Sequence, residues 1–291
     1  MASLRDVRRR IASIQSTQKI TRAFYVISAT RLRKAQQQAE ASRPYAEKMY
    51  EVLGTTSRRA REYRHPFLEQ REGRRAVMIL VTTDRGLAGA LNVNTIRAAT
   101  RRMNEDYSDH PRFVTIGRKG RDFLRRFGRD VIADTSGLGD RIHLSEILPA
   151  VTVALDEYRE GRCDAVLLAY AKFVSTLRQE PEVRRLVPVD LGEMEAAAPE
   201  GPSGDYFYEP EPEDVMDALL PRYVESQVYQ AVLENKASEF AARMVAMKNA
   251  TDAAGDLIDS LTLTANKVRQ ATITTELMEI VSGAEALRSS S

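Results

Sequence analysis

For roughly fifty residues from its start, and again for the last seventy or so, this 291-residue chain keeps an apolar spacing that only an α-helix can place on one face. Leu4, Val7, Ile11 and Ile14 recur at three-four-three intervals. Ile20, Phe24 and Ile27 read as the continuation of the stripe after a shift, with polar Gln18 and Thr21 falling where the strict repeat calls for apolar side chains. Such a shift resembles a stutter, which locally unwinds a coiled coil. The first proline is Pro44 and the first glycine Gly54, so one helix is expected from Leu4 to about Leu53.

At the other end, apolar residues recur from Leu219/Leu220 through Tyr223/Val224, Val228, Val232/Leu233, Phe240, Met244, Leu257/Ile258, Leu261, Val268 and Leu277 to Ile280/Val281, fading at about Leu287. Pro221 predicts a kink or a helix restart. Threonines 262, 264, 272, 274 and 275 together with Gly255 make this a poor helix in isolation, costing about half a kcal/mol each relative to alanine. The two helices leave and return to one domain, so they pair antiparallel. They are unequal: with Leu53 near Leu219 the first is used up near Arg269, and the last twenty or so residues, ~30 Å of helix, project alone. A lone helix of that length is marginal in water, and an apolar tip needs a sleeve.

The middle has another texture. Ala76–Thr83, Arg112–Gly117, Val131–Ala133, Asp164–Phe173 and Val183–Val189 read as strands, the last two joined by a turn near Pro181. Helices are expected between the earlier strands, up to about Asn104 and over Lys119–Phe127 and Ser145–Arg159. Alternating strands and helices predict a mainly parallel sheet covered by helices. The division is then residues 1–64, a long helix; 65–212, a Rossmann-like α/β domain; and 213–291, the second long helix of the coiled coil.

Charge is segregated. Arg5, Arg8, Arg9, Arg10, Lys19, Arg22, Arg31, Arg33 and Lys34 face only Asp6 in the first 34 residues, whereas Asp190–Asp217 holds ten acids and no base. Partners of opposite sign are implied: a nucleic acid or an acidic protein surface for the arm, basic or polar loops for the acidic segment. A nucleic-acid arm needs a groove-reading fold or a dimer zipper, and neither is evident. The Arg- and Ser-rich start has no apolar signal core and runs directly into the helix, so it reads as mature structure. No apolar run approaches the ~18 residues of a membrane span. One cysteine, Cys163, excludes an internal disulfide and reads as a buried, inert thiol. His65, His110 and His143 lack ligand spacing, the carboxylates near Glu209–Asp214 have nothing to fix their geometry, and no metal or cofactor is expected. The turn DRGLAGALN lacks the spacing of a phosphate-binding loop, so Gly86 and Gly89 are read as serving a chain reversal.

Several segments resemble the gamma-subunit family of the rotary ATP synthases: RRRIASIQSTQKITRAF and TRLRKAQ near the start, TDRGLAGALN and DYFYEPEPEDV in the middle, and YVESQVYQAVLENKASEFAARMVAMKNATDAAGDLI with NKVRQATITTELMEIVSGAEAL at the end. The resemblance implies a non-catalytic shaft. Its helix pair would stand in a ring of alpha and beta nucleotide-binding subunits. Its α/β domain would sit beside the epsilon subunit on the membrane c-ring, peripheral to the cytoplasmic face of a plasma membrane. It also implies contacts to the catalytic subunits from Arg8, Arg9, Arg10, Lys19, Arg22 and Phe24, and from Arg269, Gln270, Thr274 and Glu279. Tyr206, Tyr208 and Glu209 would lie at the foot, against the proton ring and epsilon. Phe24 stands where the family commonly has methionine and Ala265 where it has tyrosine, and the plant-type dithiol insertion is absent. An enzyme of the α/β class would need a titratable cluster at the strand ends that cannot be assembled from the loops, while a phosphate on the helix start after DRGLAGALN stays open.

Overall fold

The computed structural model describes residues 3–59, 63–107, 109–192, 194 and 211–289. Helix α1 spans Leu4–Arg59, and a short 3-10 turn follows at Pro66–Leu68. Next come β1 (Ala76–Val81), α2 (Leu91–Asp106), β2 (Arg112–Ile116), α3 (Arg118–Arg126), β3 (Asp130–Thr135), α4 (Leu144–Arg159), β4 (Ala165–Phe173) and β5 (Gln179–Val187). The last helix, α5, runs from Pro212 to Ser289. Two long helices thus flank a mostly parallel sheet, as the residue pattern predicts.

The chain divides into two compact units, Met1–Ile27 with Met244–Ser291, and Ser28–Arg243. In the second unit the strand order is β3-β2-β1-β4-β5, parallel except for the antiparallel β4–β5 pair. All six residues of β1 are buried because both faces of this central strand are covered. Its alternation sorts them. Val77, Ile79 and Val81 join a core with α4, the Ala39–Leu53 part of α1 and the Met216–Leu233 part of α5, while Met78 and Leu80 pack with Ile96 and Met103 of α2 and Leu124 of α3. The result is a three-layer arrangement whose helical layer on one side is partly built from the long helices. Polar links tie them down: Gln38 Nε2 donates to the Ile142 carbonyl at 2.7 Å, and so does the Tyr229 hydroxyl at 2.9 Å.

Three sequence expectations need correction. The β4–β5 reversal sits at Ser175–Arg178, where the Ser175 N–H donates to the Arg178 carbonyl at 2.9 Å. Pro181 lies inside β5, opposite Ala171. A proline is tolerated there because β5 is the sheet edge. Of the kink or restart expected at Pro221, the restart does not occur: the second long helix runs continuously from Pro212, with a proline in the first helical position and Pro221 inside it. Finally, α1 makes no shift. Ile20, Phe24 and Ile27 are 56%, 40% and 45% exposed, while Thr21 and Ser28 are buried. The inward positions keep strict three-four spacing through Gln18, Thr21, Tyr25, Ser28, Leu32, Ala35 and Ala39, on to Met49, Leu53 and Thr56. Polar side chains are admitted because their hydroxyls are satisfied locally: Thr21 Oγ1 reaches the Gln18 carbonyl at 3.0 Å and Thr56 Oγ1 the Val52 carbonyl at 2.8 Å.

At the amino ends of the strands, buried Asp164 holds Arg75 through Nη2 at 2.7 Å, Nε at 3.1 Å and the backbone N–H at 3.1 Å. A Cβ on Gly73 would meet the Asp164 carboxylate at 2.0 Å, so only glycine fits. Beside it Cys163 is fully buried, and burial pushes its thiol up to about 11, against the opposing field of Arg112. The hydrogen bonds from Arg75 hold the Asp164 carboxyl below the usual carboxylate range, outweighing its burial. A depressed folded-state value contributes stability above the unfolded value of ~3.9, and this is lost as pH falls through the folded value. Asp164→Asn is therefore expected to lower stability at pH 7 and to flatten the loss of stability below about pH 4, as denaturant melts across pH will read out.

Candidate partner-binding surface

The first compact unit contains the amino-terminal part of α1 and the part of α5 beyond Met244. Leu4, Val7, Ile11, Ile14, Gln18, Thr21 and Tyr25 on α1 are shielded, as are Met247, Thr251, Ala254, Ile258, Leu261, Ala265 and Val268 on α5. Both sets follow the three-four repeat of a two-helix seam. A polar layer crosses it. The Thr21 and Thr251 hydroxyls lie 2.7 Å apart, Gln18 Nε2 donates to the Thr251 carbonyl at 3.3 Å, and Thr251 Oγ1 donates to the Met247 carbonyl at 2.8 Å. A Cβ on Gly255 would come within 3.2 Å of the Gln18 amide, so the small residue leaves room for that side chain. Thr21 opposite Thr251 and Gln18 beside Gly255 make the pair antiparallel. Carried along this register, Leu4 falls opposite Val268.

The exposure pattern agrees with that end point. From Arg269 to Ala284 every residue of α5 is exposed, including Ile273, Leu277, Met278, Ile280 and Val281. Arg269, Gln270, Thr274 and Glu279 all lie on this stretch, with Thr274 Oγ1 turned back onto the Gln270 carbonyl at 2.9 Å. Four other threonines, Thr262, Thr264, Thr272 and Thr275, do the same to the carbonyl four residues earlier. Arg8, Arg9, Arg10, Lys19, Arg22 and Phe24 are likewise exposed on α1, and those five cations make no ion pair among the described residues. An unpaired basic band and a bare apolar helix end are therefore the two surfaces of this unit. Tyr206, Tyr208 and Glu209 fall outside the described residues.

The α/β unit has a crevice at the carboxyl ends of β1 and β4, where the strand order reverses and such folds hold their ligands. Side chains of α5 occupy it. Asn235 Oδ1 accepts from the Ala171 N–H at 3.1 Å, and Arg243 donates to the Gly86 carbonyl at 3.1 and 3.3 Å. Glu239, 4% exposed, bridges Arg243 at 2.7 Å and Lys236 at 3.2 Å. Only about 20 Å³ remains between them and the ends of β1 and β2, scarcely more than a water needs. Nothing in the sequence marks Asn235, Lys236, Glu239 or Arg243, since each reads as an ordinary helix position. Among the described residues there is no group of three or more His, Cys, Asp or Glu that could hold a metal ion, and no helix long and apolar enough to cross a membrane. His65 instead accepts the Phe67 N–H at 3.0 Å, and the His143 N–H donates to Glu146 at 2.7 Å; both are local caps.

A family model described as ATP synthase matches residues 3–287. ATP synthase gamma chains of Acidovorax sp. (strain JS42) and Paracidovorax citrulli (strain AAC00-1) are 47% and 46% identical over 289 residues, covering 99% of this chain and 100% of theirs. In fold, the chain is similar to one from the Euglena gracilis mitochondrial ATP synthase (TM-score 0.64, 18% identity, 98% of this chain and 94% of that one). It is also similar to one from the Tetrahymena thermophila mitochondrial ATP synthase central stalk and c-ring (TM-score 0.58, 23% identity, 79% and 99%).

Two expectations follow from the seam and its end. Because the Thr21 and Thr251 hydroxyls face each other across the seam, replacing both with valine removes a pair of polar groups with little change of shape. Thr21→Val with Thr251→Val is expected to leave stability unchanged or raise it by about 0.5–1 kcal/mol in denaturant titrations. Hydrogen exchange on the isolated chain is expected to find amides 272–284 nearly unprotected and those around Thr251 protected.

Proposed function

This chain belongs to the ATP synthase gamma-chain family, and we propose that it is the non-catalytic rotor of an F-type ATP synthase, carrying rotation of a membrane proton ring to three catalytic sites. The observation that carries the reading is the bare end of α5. Sixteen consecutive exposed positions, from Arg269 to Ala284, present large apolar side chains with no helix packed on them among the described residues. Water does not favour that arrangement, and a surrounding sleeve of protein does.

In this reading the sleeve is the ring of alpha and beta nucleotide-binding subunits. Arg8, Arg9, Arg10, Lys19, Arg22 and Phe24 face it from α1, and Arg269, Gln270, Thr274 and Glu279 face it from α5. The unpaired bases meet acidic protein segments rather than a nucleic acid, and long-range attraction of that kind guides assembly. Residues 65–212 form the base on the c-ring and the epsilon subunit, with Tyr206, Tyr208 and Glu209 in that contact, and residues 1–64 and 213–291 form the axle. The assembly sits on the cytoplasmic face of a plasma membrane, with the chain itself peripheral.

The mechanism needs no reactive group on this chain. Two helices have no threefold axis, so they present a different face to each of three catalytic interfaces. Each face then binds one conformation of the adjoining subunit better than another, and only such differential binding shifts a conformational equilibrium. Driving a site from almost wholly one state to almost wholly the other takes about 5.5 kcal/mol, an amount that several exposed apolar and charged contacts together can supply. Filling of the strand-end crevice by α5 supports the absence of catalysis in the α/β unit.

Arg269→Ala with Gln270→Ala tests the assignment. Both side chains are exposed, so the circular dichroism of the isolated chain should not change, while ATP-synthesis coupling or complex yield should fall about fivefold or more. Wild-type synthesis and yield would remove these residues from the contact. Failure of the chain to co-purify with nucleotide-binding subunits would remove the rotor reading itself.

A further inference from the structure

We propose that the α/β unit has a binding site for a phosphate-bearing anion, in the cavity beside the filled crevice. The cavity measures about 450 Å³ and opens at the carboxyl ends of β1, β2 and β3, on the side of the sheet where α/β folds hold their ligands. Five cationic side chains line it: Arg31, Arg85, Arg118, Lys236 and Arg243, with three carboxylates among them.

The carboxylates are already engaged. Asp84 spends both oxygens on backbone, accepting from the Arg118 N–H and the Gly137 N–H at 2.9 Å each, and so pins together the loops after β2 and β3. Glu239 is shared between Lys236 and Arg243, whose side chains are only 14% and 9% exposed. Asp140 takes Arg31 at 3.2 Å in an exposed pair, and pairs of that kind are weak and exchangeable. Arg85 and Arg118 make no ion pair among the described residues. The lining is left with five positive against three negative charges, an excess of two carried by the exposed Arg85 and Arg118.

That excess matches the ~1.5–2 negative charges of a phosphate monoester at pH 7. Free guanidiniums are suited to it, because their planar forks bind phosphate oxygens two at a time. The amides at the start of α3 do not compete for this role. The Lys119 N–H donates to the Thr83 carbonyl at 3.0 Å and the Gly120 N–H to Thr82 Oγ1 at 2.8 Å. Recognition therefore falls to side chains. The volume exceeds that of a phosphate alone and lies in the range of small-molecule pockets, so either a free polyphosphate or the phosphates of a nucleotide fit the same chemistry. This site does not depend on the rotor reading.

Equilibrium dialysis of the purified full chain with inorganic pyrophosphate, at fixed ionic strength and with sulfate as the comparison anion, tests the proposal. Saturable one-to-one binding is expected, tighter than that of sulfate. It should weaken tenfold or more in Arg85→Gln with Arg118→Gln, and stay unchanged in Arg101→Gln on α2. Both replaced side chains are exposed, and an unchanged circular dichroism spectrum checks the fold. ADP should displace pyrophosphate while adenosine does not. Tighter displacement by ADP than by unlabelled pyrophosphate assigns the site to a nucleotide, and equal or weaker displacement to free polyphosphate. Absence of saturable binding, binding no tighter than sulfate, or binding that survives in the double variant overturns the proposal.

Discussion

Everything in the first compact unit depends on one spacing, the unbroken three-four repeat that lets two poor helices shield each other. Neither has the composition to stand alone. The α5 segment carries Gly255 and a run of threonines, and α1 places Gln18 and Thr21 on its inward face. The seam holds because these polar groups bond to their own backbone or to each other, so burying them leaves no orphan. A seam with polar layers is weaker than one of leucines, yet it tolerates few alternative registers. For a part that must keep one angular relation between its two helices under load, fixed register matters more than extra stability.

Legibility followed the physics of each element. The long helices, the central strands and the end of the pairing near Arg269 could be read because spacing and apolar runs report burial directly. The seam beyond Ile14 was misread for an instructive reason. Ile20, Phe24 and Ile27 are apolar and attract the eye, while the inward positions hold hydroxyls and an amide. Hydrophobicity alone does not report burial within one chain, so exposed apolar residues beside a polar seam imitate a shifted core. Pro181 misled in the opposite sense. Read as a breaker, it is compatible with a strand whose amide side faces no neighbour.

The strand-end crevice shows a further limit. Asn235, Lys236, Glu239 and Arg243 sit within a helix whose pattern already explains them as surface or seam positions. Their meeting with the Ala171 N–H and the Gly86 carbonyl is set by tertiary packing. The basic band on α1 was visible as a cluster of arginines, whereas Arg269, Gln270, Thr274 and Glu279 carry no local signal and came from resemblance. Their shared exposure on α5 is what geometry adds.

The buried thiol has a practical corollary. Cys163 is the chain's sole cysteine, fully enclosed and held protonated well past neutral pH. To a maleimide or a fluorescent dye the native surface is therefore blank. A cysteine engineered anywhere along the open stretch of α5 would be the only handle such a reagent finds, without first deleting a native one. The molecule comes ready for watching a single point on its own tip move.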